Sequence, residues 1–369
     1  MQPSPVNSAP PGNDGFPGHD GLFPGELPRL LGKKLIDGLK LMHIYQHPSG
    51  EIISFRRQQI GYVYCRSPFV SAIVHEALSC FDPTSAGWLN SCLGILLPEH
   101  TKAVFKYVGA IRQRIRAFLL WQKEAQGWWR FFGRGSGIDP DISTTMVALL
   151  ALRDAPGIDS YRYWDEHIET VRQFRSSDGL YYTFYRPGRG GYGWMDEKGR
   201  PIVGYDRVVN ADVVWFLSEF GLEVTEADPV FAYLLGECED KDLTQGTSLF
   251  PNPVSYFYAI SRLLCWDKNP YRDRFEKSIL SRLLSMQQPT GEFGGPLSTV
   301  LAAHTLINLQ YTGEELDRAR FAVLRSMQGS GGWQYEDFIV SGFGSPALTT
   351  ALSLSFLVHY EHLKETVIL

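Results

Sequence analysis

The feature that most constrains this chain is a recurrence. An amphipathic helix runs to a Gln or another polar residue, a Gly follows a few residues later, then comes an aromatic or large apolar residue. A second, more apolar helix then opens at Ser, Thr or Asn. The turns read Gln46-His47-Pro48-Ser49-Gly50, Gln122 to Gly127 with Trp128 and Trp129, Ser176-Ser177-Asp178-Gly179 with Tyr181, Gln287 to Gly291 with Phe293, and Gln328 to Gly331-Gly332 with Trp333. Glycine suits such turns because helices close on a left-handed residue, where a Cβ is penalised. The second helices are expected to open near Ser71, Thr144, Asn210, Ser255, Ser298 and Thr349. Their apolar runs, such as Met146 to Leu152 and Ala351 to Val358, predict burial on most sides, while stretches such as 102–122 and 271–287 keep a charged face.

Repeated units of this kind bury their cores only against their neighbours. The prediction is an all-α (α/α)6 toroid, six inner and six outer helices, in a single domain over 28–369. A Pro/Gly-rich arm over 1–27 precedes it, too poor in apolar surface to order itself alone. The fourth unit is the least legible. Its outer helix ends in Glu237-Cys238-Glu239-Asp240-Lys241-Asp242, which reads as a solvated helix end, with a site for magnesium-bound diphosphate as the lesser alternative.

Composition narrows the function. A net charge of -5 offers no basic stripe for a polyanion, so nucleic acid is not an expected partner. The five cysteines are odd in number and lack a CxxC pair, which reads as buried free thiols in a reducing compartment. No basic segment leading into an apolar run and no stretch of eighteen apolar residues is present, so a cytoplasmic location is expected. Aromatic residues make up 13% of the chain, more than packing ordinarily uses. They form either an aromatic-rich core or a set of π-faces with a task.

The segment Asp139-Pro140-Asp141-Ile142-Ser143-Thr144-Thr145 lies at the mouth of the second inner helix. Asp139 is placed to cap, with Pro140 at the first helical position. Alternatively the two carboxyls share a proton, since close like charges do not both ionise cheaply, and the neutral one is then an acid. The helix dipole opposes this, so burial must outweigh it. Other polar residues set on inner helices are His304, read as a core histidine or a partner of the acid or of a polar head group, and Asn210 and Asp212, read as caps or ligand contacts. Asp337 follows Trp333 in its unit much as Asp139 follows Trp129.

Gln-Gly-aromatic repeats with an Asp-x-Asp segment followed by Thr at the head of an inner helix resemble the class II terpenoid cyclases, the family of squalene-hopene cyclase. The repeats look like degenerate copies of that family's Gln-Trp motif, and residues 139–145 look like its DxDD motif. The resemblance spans about 30–362 and is nearest to the single-domain meroterpenoid cyclases. It implies that Asp141 is the general acid and Asp139 its partner, with Ser143, Thr144, Thr145 and His304 in support. The departure is Ile142, which stands where the family has its last Asp, and it leaves the acid role open between Asp139 and Asp141. It implies a hydrophobic polyprenyl or prenylated aromatic substrate, no cofactor, no bound metal, and Mg only with a diphosphate substrate. A carbocation needs a dry cavity lined by π-faces. Trp128, Trp194, Trp215, Trp333 and one of the consecutive Tyr256, Phe257 and Tyr258, of which helical spacing lets only one face the axis, are the expected lining, with Asn210, Asp212 and Asp337 as polar contacts. An oily substrate usually arrives from a bilayer, and Gly21-Leu22-Phe23-Pro24 and Cys92 to Leu97 are the candidate peripheral contacts, with ordinary packing as the more frequent role of such segments; the sequence leaves membrane attachment open.

Three other functions share the toroid. A protein prenyltransferase β-subunit would hold zinc, but Cys265-Trp266-Asp267 with His304 lacks the Asp-x-Cys order. A glycosidase would pair Asp139 or Asp141 with Asp337 or Asp212. A non-catalytic scaffold would need none of these residues.

Overall fold

The computed structural model describes residues 26–81, 96–153, 155, 160–184, 204–221, 223–240, 245–340 and 342–368. Over these residues the chain forms helices α1 (Glu26–Ile44), α2 (Pro68–Ala77, continued by a 3-10 turn Leu78–Phe81), α3 (Pro98–Gln122), α4 (Ile142–Leu152), α5 (Ser160–Arg172) and α6 (Arg207–Ser218). They are followed by α7 (Val224–Asp240), α8 (Val254–Leu264), α9 (Arg272–Ser285), α10 (Pro296–Asn308), α11 (Glu314–Ser326) and α12 (Pro346–Ile368). The even-numbered helices form the inner ring. Each packs against the next in chain order, and α12 packs back on α2, which closes the toroid. Each inner helix also packs on the outer helix that follows it, and α12 packs on α1. A three-stranded antiparallel sheet lies across the seam, in the order β2 (Tyr62–Tyr64), β1 (Phe55–Arg57), β3 (Phe343–Gly344).

The repeat has a hydrogen-bond logic. At each well-formed turn the amide of the large apolar residue donates to a polar side chain in the first turns of the inner helix. Ile52 donates to Ser71 Oγ (3.0 Å), Trp129 to Thr145 Oγ1 (3.2 Å), Tyr181 to Asn210 Oδ1 (2.8 Å), Phe293 to Thr299 Oγ1 (3.0 Å) and Trp333 to Thr350 Oγ1 (3.2 Å). A buried amide left unpaired would cost about 1–3 kcal/mol, so these hydroxyls and the Asn are required by the turn. The bonded residues are Thr145, Thr299 and Thr350; the helices that carry them begin at Ile142, Pro296 and Pro346, two or three residues before the openings expected near Thr144, Ser298 and Thr349. In the fourth unit the Phe250 amide donates to Thr247 Oγ1 (2.9 Å) instead of Ser255, which is why that turn is hard to read.

Two tryptophans add a second link. Trp129 Nε1 donates to Leu119 O and Trp333 Nε1 to Val323 O, both at 2.8 Å. Those carbonyls lie in the last turns of α3 and α11, where a helix leaves acceptors unsatisfied. Each turn also seats on the next outer helix. Gln46 Nε2 donates to Ile111 O of α3, and Gln287 Nε2 to Glu315 O of α11. Gly50 has φ +94°, and a Cβ there would stand 2.0 Å from Arg114 O of α3, so position 50 admits only glycine.

In the acidic cluster, Glu237 is not a solvated end. It pairs with Arg207 at 3.4 Å beneath the fourth turn. Cys80 and Cys238 are buried, whereas Cys65 is half-buried and Cys265 exposed. Among the described residues no helix is long and apolar enough to cross a membrane. The stretch 21–24 and most of 92–97, the candidate membrane contacts, lie outside the described residues, as does nearly all of the arm.

Candidate active site

Asp141, not Asp139, caps α4. Its backbone is extended (φ -120°, ψ 149°), and its Oδ1 accepts the Thr144 amide at 2.7 Å. Its own amide donates to Trp129 O (3.2 Å), and the next amide, of Ile142, donates to Thr183 O (2.9 Å), so the segment is pinned on two sides. The Thr145 hydroxyl, which accepts from Trp129, donates to Asp141 O at 2.8 Å. The repeat turn therefore fixes the cap.

The side chain is 3% exposed, and its Oδ2 makes no hydrogen bond. It faces a small void of about 20 Å³ walled by Phe69, Phe131, Phe184, Leu249, Phe250 and Ile339, with Ser143 and Thr183 as its other polar residues. Burial pushes the Asp141 carboxyl up to about 7, against the Thr144 amide and hydroxyl and the Phe131 amide, which favour the charged form. Desolvation is the leading cause, so the expected sharing of a proton with Asp139 is not what raises it. Asp139 is half-buried, and its Oδ2 also lacks a hydrogen bond. Ile142 packs fully into the core.

Phe69 and Phe250 are shared with a second void. This central cavity of about 340 Å³ runs along the inner ring and falls in the ~300–1,000 Å³ range of small-molecule sites. Its apolar lining includes Phe69, Phe250, Phe338, Val147 and Leu301. Toward the C-terminal ends of the inner helices, Arg262 is ion-paired with Asp212, and its guanidinium lies over the rings of Trp215 (4.3 Å) and Tyr258 (4.7 Å). His304 and His359 complete this end, and burial holds both neutral, His304 down to about 3.

The structure thus brings Asp141 and Ser143 together at one void, and Asp212, Trp215 and His304 together in the other. The remaining expected contacts need correction. His304 does not reach the acid; its Nε2 donates to Leu352 O at 3.0 Å. Asn210 is a clamp, fully buried, that exchanges two hydrogen bonds with the Tyr181 backbone. Tyr256 points outward, its hydroxyl bonded to Leu234 O (3.1 Å), and Phe257 is buried beside it. Their neighbour Tyr258 is the one on the cavity. Trp333 is consumed by its turn, and Trp128 lines neither void. Asp337 pairs with Arg57 in an open surface depression. Trp194 lies outside the described residues.

Arg262 was missed. Its signal was a lone arginine in the otherwise apolar run Val254–Leu264, matched by Asp212 as the lone acid in Val208 to Val214. Among the described residues no group of three His, Cys, Asp or Glu is placed to hold a metal.

No family model matches the sequence, and no curated protein matches it. Solved structures do match, by fold. The type II terpene cyclase MstE from Scytonema superposes with a TM-score of 0.65 at 13% identity, covering 91% of this chain and 99% of that one. The fold is that of type II terpene cyclases. A variant of MstE in complex with geranylgeranyl dihydroxybenzoate gives 0.65 and 13% over 93% of this chain and 100% of that one. The ent-copalyl diphosphate synthase from Streptomyces platensis gives 0.52 and 14%, over 79% of this chain and 50% of its own. A heparin-specific unsaturated glucuronyl hydrolase shares the terpene-cyclase toroid at 0.56 and 6% identity, over 91% and 98%.

Proposed function

We propose that this protein is a class II, protonation-initiated cyclase that converts a linear polyprenyl or prenylated aromatic substrate into a polycyclic isomer. The observation that carries this reading is Asp141: a carboxyl kept protonated near neutral pH by burial, with one oxygen unbonded toward an aromatic pocket beside a ring-lined cavity. Protonating an isolated alkene needs a neutral carboxyl whose conjugate base is solvated by fixed donors. Oδ2 delivers the proton to the terminal alkene. The carboxylate left behind keeps the Thr144 amide, and the Ser143 hydroxyl, buried in the same pocket without a hydrogen bond, is the further donor at hand. The cation then meets Phe69, Phe250, Phe338, Tyr258 and Trp215, each ring worth about 0.5–2 kcal/mol. Loss of a proton ends the reaction and leaves the mass unchanged.

The void at Oδ2 holds about one water, not an isoprene end, so Phe69 or Phe250, which wall both voids, must turn when substrate enters. The cyclisation itself uses no cofactor in this reading, and Mg accompanies only a diphosphate substrate. The test is incubation with geranylgeranylated phenols and with free and diphosphorylated prenyl chains, read by chromatography and mass spectrometry. A product isomeric with its substrate, absent with Asp141→Asn, supports the reading. Release of reducing sugar from uronate oligosaccharides, with no isomer formed, would replace it by the glycosidase alternative.

A further inference from the structure

The far end of the central cavity carries its own chemical instruction. Five charged side chains line the cavity among the described residues: Glu76, Asp212 and Glu219 against Arg153 and Arg262. Both cations are already engaged. Arg262 is paired with Asp212, and Arg153 stands 3.9 Å from Glu76. Glu219 leaves the lining with one negative charge in excess. The histidines add none. His304 Nε2 faces Leu352 O and His359 Nδ1 faces Ser355 O, acceptors that fix the N–H on those nitrogens and leave each second nitrogen as a lone pair. Arg262 Nε is the one guanidinium donor there that is buried without a partner, and it sits in a guanidinium held between two aromatic faces.

We infer that the substrate's head group is a neutral oxygen-bearing one, a phenol, quinol or alcohol, seated against Arg262, Trp215 and Tyr258 at the end of the cavity remote from Asp141. A neutral oxygen accepts from Arg262 Nε and costs no ionic desolvation. A diphosphate or carboxylate would meet three carboxylates against two already paired cations, and would have to displace Asp212 to reach Arg262. This rests on the cyclase reading only in placing the reacting tail at Asp141. It sets the chain apart from both terpene-cyclase neighbours, whose names give a dihydroxybenzoate ligand and a diphosphate product.

The experiment separates binding from turnover. Chains without a terminal alkene cannot be protonated there, so phytol, phytyl hydroquinone, phytanic acid and phytyl diphosphate with Mg serve as probes. Each is titrated into the wild-type protein, with quenching of tryptophan fluorescence followed and Trp215→Phe used to attribute the signal. The neutral probes are expected to bind at least tenfold more tightly than the anionic ones. Asp212→Asn should narrow that gap by freeing Arg262. Glu219→Gln, at an exposed position, should narrow it severalfold and covers the case in which Asp212→Asn fails to fold. Anionic probes that bind as tightly as neutral ones, or charge variants that leave the gap unchanged, overturn the inference. A neutral preference with no isomeric product from any unsaturated substrate would sink the cyclase reading while leaving the head-group assignment standing.

Discussion

At Asp141 two opposing influences meet. A helix N-terminus and the Thr144 amide favour the carboxylate, yet burial lifts the carboxyl from 3.8 to about 7. The acid is therefore available below that value and lost above it. If it protonates the substrate, kcat/KM should be flat below about pH 6 and fall roughly tenfold per unit well above pH 7. A profile that rises through pH 7 would assign the proton to another group. His304, neutral down to about 3, contributes no acid limb at working pH. The same shift bears on stability. Between 3.8 and about 7 the folded chain keeps a proton that the unfolded chain has lost, so stability declines as pH climbs through that window. Asparagine caps a helix as well as aspartate and cannot ionise. Asp141→Asn is accordingly expected to lose at least ~10³-fold in activity while gaining on the order of 1–4 kcal/mol at pH 8. Urea unfolding of both proteins at pH 5 and pH 8 checks the second half, since the difference should shrink at the lower pH.

At the scale of the element, the turn is the unit that places Asp141. Thr145 accepts from Trp129 and donates to the carbonyl of Asp141, so a core-packing hydroxyl also holds the cap in register. Thr145→Val keeps the volume and removes both bonds. It should cost about 1–3 kcal/mol and lower kcat more than it raises KM, because it loosens the acid and leaves the cavity alone. Thr299→Val, which breaks the equivalent bond from Phe293, should cost similar stability with activity retained. Equal activity losses in the two variants would show that the effect is global.

This is also where sequence and structure part company. The Gln, Gly, aromatic and hydroxyl pattern was legible because each member answers a local demand: a positive φ, an orphan amide, an orphan carbonyl. Which hydroxyl takes the turn amide, Thr144 or Thr145, Ser298 or Thr299, Thr349 or Thr350, was not legible because adjacent hydroxyls look alike in sequence. Only the helix phase tells which one faces the turn. The same blindness to phase left Tyr256, Phe257 and Tyr258 undecided, and the structure puts Tyr258 on the cavity. Arg262 escaped notice because its partner lies fifty residues away on another inner helix.

At the scale of the molecule, ring closure decides how the fold responds to loss of a part. An open stack of repeats loses one interface when a terminal unit goes, and its stability falls by one increment. Here α12 is simultaneously a neighbour of α10, α11, α1 and α2, and the seam is stitched by Arg57 N to Gly342 O (2.8 Å), Ser345 Oγ to Ile53 O (2.7 Å) and the β1–β3 pairing. Removing α12 would expose apolar flanks of the first and fifth inner helices together and open the cavity to water. The full chain is expected to unfold in one transition. Deletion of 346–368 should abolish that transition, lower the urea m-value far beyond the share of residues removed, and give a state that binds hydrophobic dyes. A truncated chain that still unfolded sharply, with m reduced only in proportion, would mean that the toroid behaves as a linear stack and that the enclosure of its cavity does not depend on the closed ring.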